Sequence, residues 1–396
     1  MAKRLSIPSK ELSLGIVGPR DLFIASRVQR VNMNTDVPST DVYELGNPQL
    51  TGVTKDTPNI TLTFSAMDVG IKVFAALTGQ DPNAYSGSGV DIQDLGEIDA
   101  ILFVKSNTAS DYIKSAHAKR LQIRDFTFTY SVDGESTEDY TAIGSEKRWF
   151  KNDVVVDKFT SGTTSFSLSE TPIQLANGDY LLSVVLDGEY LTEVTGVPAT
   201  GEYSVSGTTV TTGDTRTAQV LAVYHANPAG TNWSDVSDAT MPAAIRGRDV
   251  KVVIGVEDIL RVQSVTINGT LNSEAVREMG NRSIVGYQAQ VPTVEGSITV
   301  LDTDTELIDL LINGSTDSGE TEFEIGTTCS AGTLALEIKL YDPCDVTVSG
   351  TVLKTVYVPS FEVVGDSYTA NVNNNVVQVF NFKSTDAQCL IYSGSR

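Results

Sequence analysis

Two histidines, His117 and His225, are the chain's whole supply of imidazole, so any general base or metal ligand of that kind has to be one of them. A Ser/His/Asp or Cys/His nucleophile needs its members within hydrogen-bond reach. These two fall in segments that read as different domains, which argues against such a constellation. The run Gly87-Ser88-Gly89 lacks the preceding strand, third glycine and following helix of a phosphate-binding loop and reads as plain loop. Asp302, Asp304, Glu306 and Asp309 could hold Ca²⁺, but EF-hand spacing and its glycine are missing. Acids at the first turn of a helix favour the macrodipole instead. No pair of carboxylates stands out for glycoside hydrolysis. Cys329, Cys344 and Cys389 are an odd set that reads as free thiols, with a Cys329–Cys344 bridge as the alternative. No catalytic, metal-binding or cofactor-binding residue is therefore assigned, no cofactor is expected, and the expectation is a protein that is not an enzyme.

Composition narrows the partners. The chain has 396 residues, room for two or three cores, and carries 50 acidic against 28 basic side chains, a net charge of -22. No basic block offers a surface for sequence-specific nucleic-acid binding. No apolar run approaches the roughly eighteen residues that span a bilayer, so no membrane partner is expected. The N-terminal MAKRLSIPSKELSLGIVGP is broken by Pro and Glu before an apolar stretch develops, so it does not read as a secretory signal.

What the chain has in place of an active-site motif is a repeated sentence. RVQRVNMNTDVPSTDVYELGN, from Arg27, returns as RVQSVTINGTLNSEAVREMGN, from Arg261. Run without a gap to Pro58 and Pro292, the two share 12 of 32 positions, where unrelated sequences would share about two. The identities include Arg27/Arg261, Gln29/Gln263, Asn34/Asn268 and Gly52/Gly286, a mixture that apolar patterning alone would not produce. Looser matches set ITLTFSAMDVGIKVFAALTG against GSITVLDTDTELIDLLING, LQIRDFTFTYS against VYVPSFEVVGD, and RWFK (148–151) against FNFK (380–383). The period is a domain, not a solenoid unit.

Most of each copy alternates apolar and polar residues in short runs such as Ile60-Leu62-Phe64 and Leu334-Leu336-Ile338-Leu340, the pattern of half-buried strands. One helix is predicted per copy. Ser65 and Asp68 stand at capping-box spacing before Ile71, Val73, Phe74 and Leu77, with Gly79 as stop; Thr303 and Glu306 precede Leu307, Ile308, Leu310 and Leu311, with Gly314 as stop. The segments 34–58 and 268–292 are polar, punctuated by Gly and Pro, and too long for turns. They read as arms reaching to a neighbour, with Tyr43, Leu45, Leu50 and Val53 answered by Met279, Ile284, Val285 and Tyr287 as anchors; a hairpin packed on its own domain is the alternative. Between the copies, a Thr-, Ser-, Gly- and Val-rich text reads as a small all-β sandwich inserted at a loop tip, with turns at Leu186–Glu189 and Gly207–Thr209. The expected organisation is mainly β: 1–150, 151–247 as the insertion, and 248–396.

This order of strand, long polar arm, returning strand, short Gly-terminated helix and further strands resembles the tail tube proteins of tailed bacteriophages and their relatives in type VI secretion tubes. RVQRVNMNTDVPSTDVYELGN followed by TLTFSAMDVGIKVFAALTG carries most of the resemblance, which covers about 14–150 and 248–390. It implies two tandem tail-tube β-sandwich domains, stacked rings, and a channel through which double-stranded DNA passes without specific binding. A chain with two such domains should close as a pseudo-hexameric trimer. The partners so implied are further copies of the chain, a tail terminator, a tape measure and baseplate or tip proteins, in a virion tail assembled in the host cytoplasm. The insertion outside the tube would leave little room for a contractile sheath, hence a non-contractile tail. The rival expectation is a secreted or surface β-sandwich adhesin, or a carbohydrate-binding tail protein.

Overall fold

The computed structural model describes residues 12–18, 22–25, 27–43, 45, 50–67, 71–78, 80, 89–94, 96–105, 112–151, 154–159, 164–175, 178–186, 189–214, 220–226, 245–259, 261–279, 284, 286–301, 305–314, 316–325, 334–343, 350–370, 372 and 375–396. The chain is mainly β. The first copy contains β1 (Leu12–Val17), β2 (Leu22–Ile24), β3 (Val28–Asp36), β4 (Ser39–Tyr43), β5 (Leu50–Lys55), β6 (Asn59–Ala66), helix α1 (Lys72–Leu77), β7 (Val90–Asp91), β8 (Glu97–Lys105), β9 (Tyr112–Ser131), β10 (Thr137–Gly144) and β11 (Glu146–Phe150). A middle section contains β12 (Val154–Phe159), β13 (Ser165–Ser167), β14 (Leu182–Leu186), β15 (Glu189–Tyr190), β16 (Thr192–Glu193), β17 (Glu202–Ser206), β18 (Thr209–Thr212) and β19 (Val220–His225). The second copy contains β20 (Val250–Ile254), β21 (Glu257–Asp258), β22 (Val262–Thr270), β23 (Ser273–Val276), β24 (Gly286–Ala289), β25 (Thr293–Leu301), helix α2 (Glu306–Asn313), β26 (Leu334–Tyr341), β27 (Val352–Thr369), β28 (Val377–Ser384) and β29 (Leu390–Ser393).

The copies pair their strands identically. β3–β6, β4–β5, β6–β10, β8–β9, β9–β10 and β9–β11 in the first are matched by β22–β25, β23–β24, β25–β28, β26–β27, β27–β28 and β27–β29 in the second. Even the irregularities recur. A β-bulge falls at Gln29 and again at Gln263, and another at Arg124 and Val364. Before the first pair, Arg27 and Arg261 adopt left-handed φ angles of 52° and 60°. Each Arg carbonyl is held by the Gln side chain two residues on, at 3.2 and 3.1 Å, and by the amide of Met67 or Leu301. The shared Arg-Val-Gln is thus a device for turning into the strand, and its hydrogen bonds offset the strain of the left-handed residue.

Four expectations need correction. Pairing sets Phe126 and Asp366 at equivalent places, so Leu121 answers Phe361, five residues from where the sequence match put it. RWFK lies mostly in β11, whose counterpart is β29; FNFK belongs to β28, the counterpart of β10. Ser65 lies within β6 and caps nothing; α1 starts at Lys72 after Ile71, with no side-chain cap. α2 likewise starts after Thr305 without a side-chain cap, while Gly314 does end it in the left-handed conformation, φ 73°. Gly79, Asp68, Thr303, Asp302 and Asp304 lie outside the described residues.

The middle section folds as two four-stranded sheets, β12-β19-β14-β15 and β13-β18-β17-β16, around Val155, Phe166, Val184, Tyr203, Val210 and Tyr224. Its hairpins turn where the sequence placed them, with Leu186 opposite Glu189 and Ser206 opposite Thr209. A second apolar cluster, Val154, Val185, Leu221 and Val223 against Val17, Ile101 and Phe103, fastens it to the β1–β8 face of the first copy.

The two copies share one core and one hydrogen-bonded network of 17 strands. They join briefly where β7 pairs with β29, Asp91 opposite Leu390, and chiefly where the distal half of β9 pairs with β22, from Ser131 opposite Ser264 to Asp125 opposite Thr270. Beneath this seam Lys354 of β27 forms a fully buried ion pair with Glu138 of β10, which also accepts the Tyr140 hydroxyl at 2.9 Å. The ammonium lies 5.2 Å from the Phe128 ring centre. Removing one member of such a pair leaves an unpaired buried charge. Lys354→Met should therefore lower the free energy of unfolding by about 3–5 kcal/mol, and adding Glu138→Leu should recover most of it, read by chemical denaturation.

Candidate assembly interface

The β9–β22 seam has a second half that the single chain does not use. Among the described residues, the strand equivalent to β22 is β3, which pairs with β6 on one side only, and the segment equivalent to distal β9 is 365–369 of β27, which pairs with β28 on one side only. Burial follows. Val265, Ile267 and Gly269 are buried under the seam, whereas their counterparts Val31 and Met33 are half-exposed and Thr35 is exposed. Phe126 and Phe128 are buried, whereas Asp366 and Tyr368 are exposed. Among the described residues each edge presents a row of ladder groups with no strand opposite it, a template for another strand. Apolar side chains gather along both: Val37 (41 % exposed) follows β3, Val364 and Tyr368 (58 % each) lie on β27, and Val372 (91 %) tips the turn beyond it. Beside β3 opens a groove of about 680 Å³ bounded by Leu12, Leu14, Ile24, Arg27 and Val31.

The arms divide the same way. In the second copy, β23 and β24 lie over the first copy: the Tyr287 hydroxyl donates to the Ile143 carbonyl at 3.1 Å, and the Ile284 amide donates to Ser145 Oγ at 3.0 Å. Burial pushes the Tyr287 phenol up to about 12, aided by the negative field of Glu97. Arg277 of this arm reaches Asp56 at the root of the other, 3.7 Å. In the first copy, Tyr43, Leu45 and Val53 are exposed; Leu50 sits in β5. Met279 is exposed at the tip of the second arm, and Val285 lies outside the described residues.

A polar cluster the sequence reading missed sits between the insertion and the first copy. His117 and His225, expected to stay apart, meet at 3.1 Å, Nδ1 to Nε2. His117 Nε2 is 3.0 Å from Asp99 Oδ2, which also accepts the Ser183 hydroxyl at 3.0 Å, while Asp99 Oδ1 accepts the Arg120 amide at 2.9 Å. Tyr190 of the insertion donates to the Val17 carbonyl, 3.2 Å. Burial alone would raise the Asp99 carboxyl, yet the His117 and Arg120 hydrogen bonds and the field of Lys119 hold it below the ordinary value. Burial, with His117 and Lys119 nearby, drives His225 down to about 2. Ser, His and Asp are all present, but Ser183 gives its proton to Asp99 and not to an imidazole, and both rings are all but sealed from solvent. That is the geometry of a docking joint, not of an activated nucleophile. No group of three or more potential metal ligands occurs among the described residues. Asp309 is held by the Ser318 amide and by Asn313, and Cys389 is a buried free thiol.

No protein-family model matches the chain, and no curated protein matches it in sequence.

Two outcomes are expected. A Cβ at Gly269 would fall 1.9 Å from the Phe126 ring across the seam. Gly269→Ala should cost about 1–3 kcal/mol in denaturant unfolding of the dispersed chain, whereas Thr35→Ala at the open counterpart should change it by less than about 0.5. The second concerns His225, whose folded value lies far below its unfolded 6.5. The unfolded chain then binds the extra proton, so stability falls as pH drops below 6.5. Between pH 7 and pH 5 the stability gap between the parent and His225→Asn should narrow by about 2 kcal/mol, measured by calorimetry at both values.

Proposed function

We propose that the chain is a structural subunit of a bacteriophage tail tube, in which three copies close a pseudo-hexameric ring and rings stack around a channel for DNA. The observation that carries this reading is the seam: two copies of one topology pair edge to edge through β9 and β22, and the equivalent edges, β27 and β3, stand open at the two ends of the same chain. An interface between unlike surfaces repeats until it closes a ring or runs on as a filament. A module whose copies already join head to tail within a chain has such an interface, and three chains offer six modules.

The acidic composition accords with a conduit. Duplex DNA carries one negative charge per roughly 1.7 Å of axis, so a basic wall would retain it through counterion release and an acidic one would let it slide. The insertion is then an appendage on the outer surface of a non-contractile tail. Its joint at Asp99, His117 and His225 holds it to the first copy in a fixed orientation, as decoration requires.

Negative-stain microscopy of the purified full-length chain, with sedimentation, tests the reading: rings or tubes built from trimers are expected, and dispersed monomers at high concentration would sink it. In averaged images the insertion should project outward; density inside the lumen would remove the decorating role.

A further inference from the structure

Resting on the tube-subunit reading, we infer that β3 of one chain pairs antiparallel with β27 of a second copy in one register, copied from the internal seam, with Asn34 opposite Ser367 of the second copy. The residue map follows from the structure itself. β3 and β22 superpose by their pairing with β6 and β25, so Met33 takes the place of Ile267 and Asn34 that of Asn268. β9 and β27 superpose by their pairing with β10 and β28, so Ser367 takes the place of Thr127 and Tyr368 that of Phe128. Within the chain, Ile267 faces Phe128, Asn268 faces Thr127 and Gly269 faces Phe126. Between chains, Met33 then faces Tyr368, Asn34 faces Ser367 and Thr35 faces Asp366.

Each of these pairs is chemically sound, which a false register would not ensure. The internal seam has a cross-strand hydrogen bond from Thr127 Oγ1 to Asn268 Oδ1, 3.0 Å. Ser367 and Asn34 keep the hydroxyl and the amide at the same places. Gly269 yields all its space to Phe126; at the open seam the large residue has become Asp366 and the glycine has become Thr35, a redistribution of volume that adds a hydroxyl donor opposite a carboxylate. Met33 against Tyr368 preserves the aliphatic–aromatic contact of Ile267 with Phe128. Past the strands, the Leu271 amide bonds the Arg124 carbonyl and the Val132 amide the Gln263 carbonyl. Their counterparts join Val37 to Val364 and Val372 to Gln29, bringing three of the exposed valines under cover. The arm follows suit, because the hydroxyl of Ser145 that receives the Ile284 amide has its counterpart in the hydroxyl of Thr385.

One difference between the seams has a physical reason. Glu138 and Lys354 correspond to Gln378 and Lys114, so the buried ion pair of the internal seam becomes an amide and a lysine between chains. Lys114 is exposed in the single chain, over the Trp149 ring at 4.8 Å. An internal seam never has to open, and its charges are sealed once on folding. A seam between chains has each half formed before the other arrives, and a neutral Gln378, already buried in the single chain, avoids stranding an unpaired carboxylate there.

The test is disulfide trapping in the full-length chain. Asn34→Cys with Ser367→Cys should give, on oxidation, covalent species that stop at three chains, with at least about tenfold more product than the register control Asn34→Cys with Thr369→Cys, since bridging needs Cβ atoms about 4 Å apart. The two single variants, mixed, should stop at two, with the parent chain and its three native cysteines as the blank. Equal or greater trapping in the control, or rings in the microscope without trapping, overturns the register and leaves the tube reading standing. A ladder running past three supports the register and overturns the closed trimer. Absence of both rings and cross-links overturns both. All positions are on exposed strand edges, and circular dichroism of the reduced variants must match the parent.

Discussion

A β-strand on the edge of a sheet has backbone donors and acceptors on one side that must be met by water or by another strand. The way the two copies of this chain are joined follows from how it meets that demand. Distal β9 and β22 satisfy one another inside the chain, and this junction, with a short second one between β7 and β29, merges two modules into one 17-stranded network with a common core. It also consumes only half of the available edges. Duplication of a module with two complementary edges always leaves one of each, and here they are β3 and the end of β27.

The internal seam shows what a committed junction looks like. Phe126 fills the space of Gly269, Glu138 neutralises Lys354 out of contact with water, and Tyr287 and Ile284 fix the arm over the strand corner. The open halves hold smaller, more polar or half-exposed residues at the same places. That asymmetry is what solubility asks of an edge that faces water, since a long apolar edge left there invites indiscriminate pairing. The insertion obeys the opposite logic. Its joint is buried: His117 bonds both His225 and Asp99, and Asp99 also accepts from Ser183, while His225 Nδ1 is left without a partner among the described residues; a buried polar network of that kind fixes one orientation more than it adds stability.

Much of this was legible before any coordinates. The gap-free match from Arg27 to Pro58 agrees with the observed registers at every paired strand, because the paired positions of the arm and its flanking strands are equally spaced along the chain in both copies. Further along, the match slipped. Period-two strands align with one another at many shifts, and the copies differ in spacing between the helix and β8 or β26, so LQIRDFTFTYS and RWFK found plausible but wrong partners. The capping boxes failed for a related reason: Ser65 has the right spacing to a helix, but β6 extends through it and claims its backbone for the ladder with β10.

The sequence by itself determined the class, the duplication, the two arms, the insertion and its hairpin turns, since these depend on local periodicity, turn chemistry and identity between segments. Only the tertiary structure decided which edges pair, which remain open, and that His117 and His225 meet. Those outcomes depend on strands brought together across more than a hundred residues, and nothing local to either strand records its partner; the partner is set by the shape and polarity of whole surfaces once both have folded.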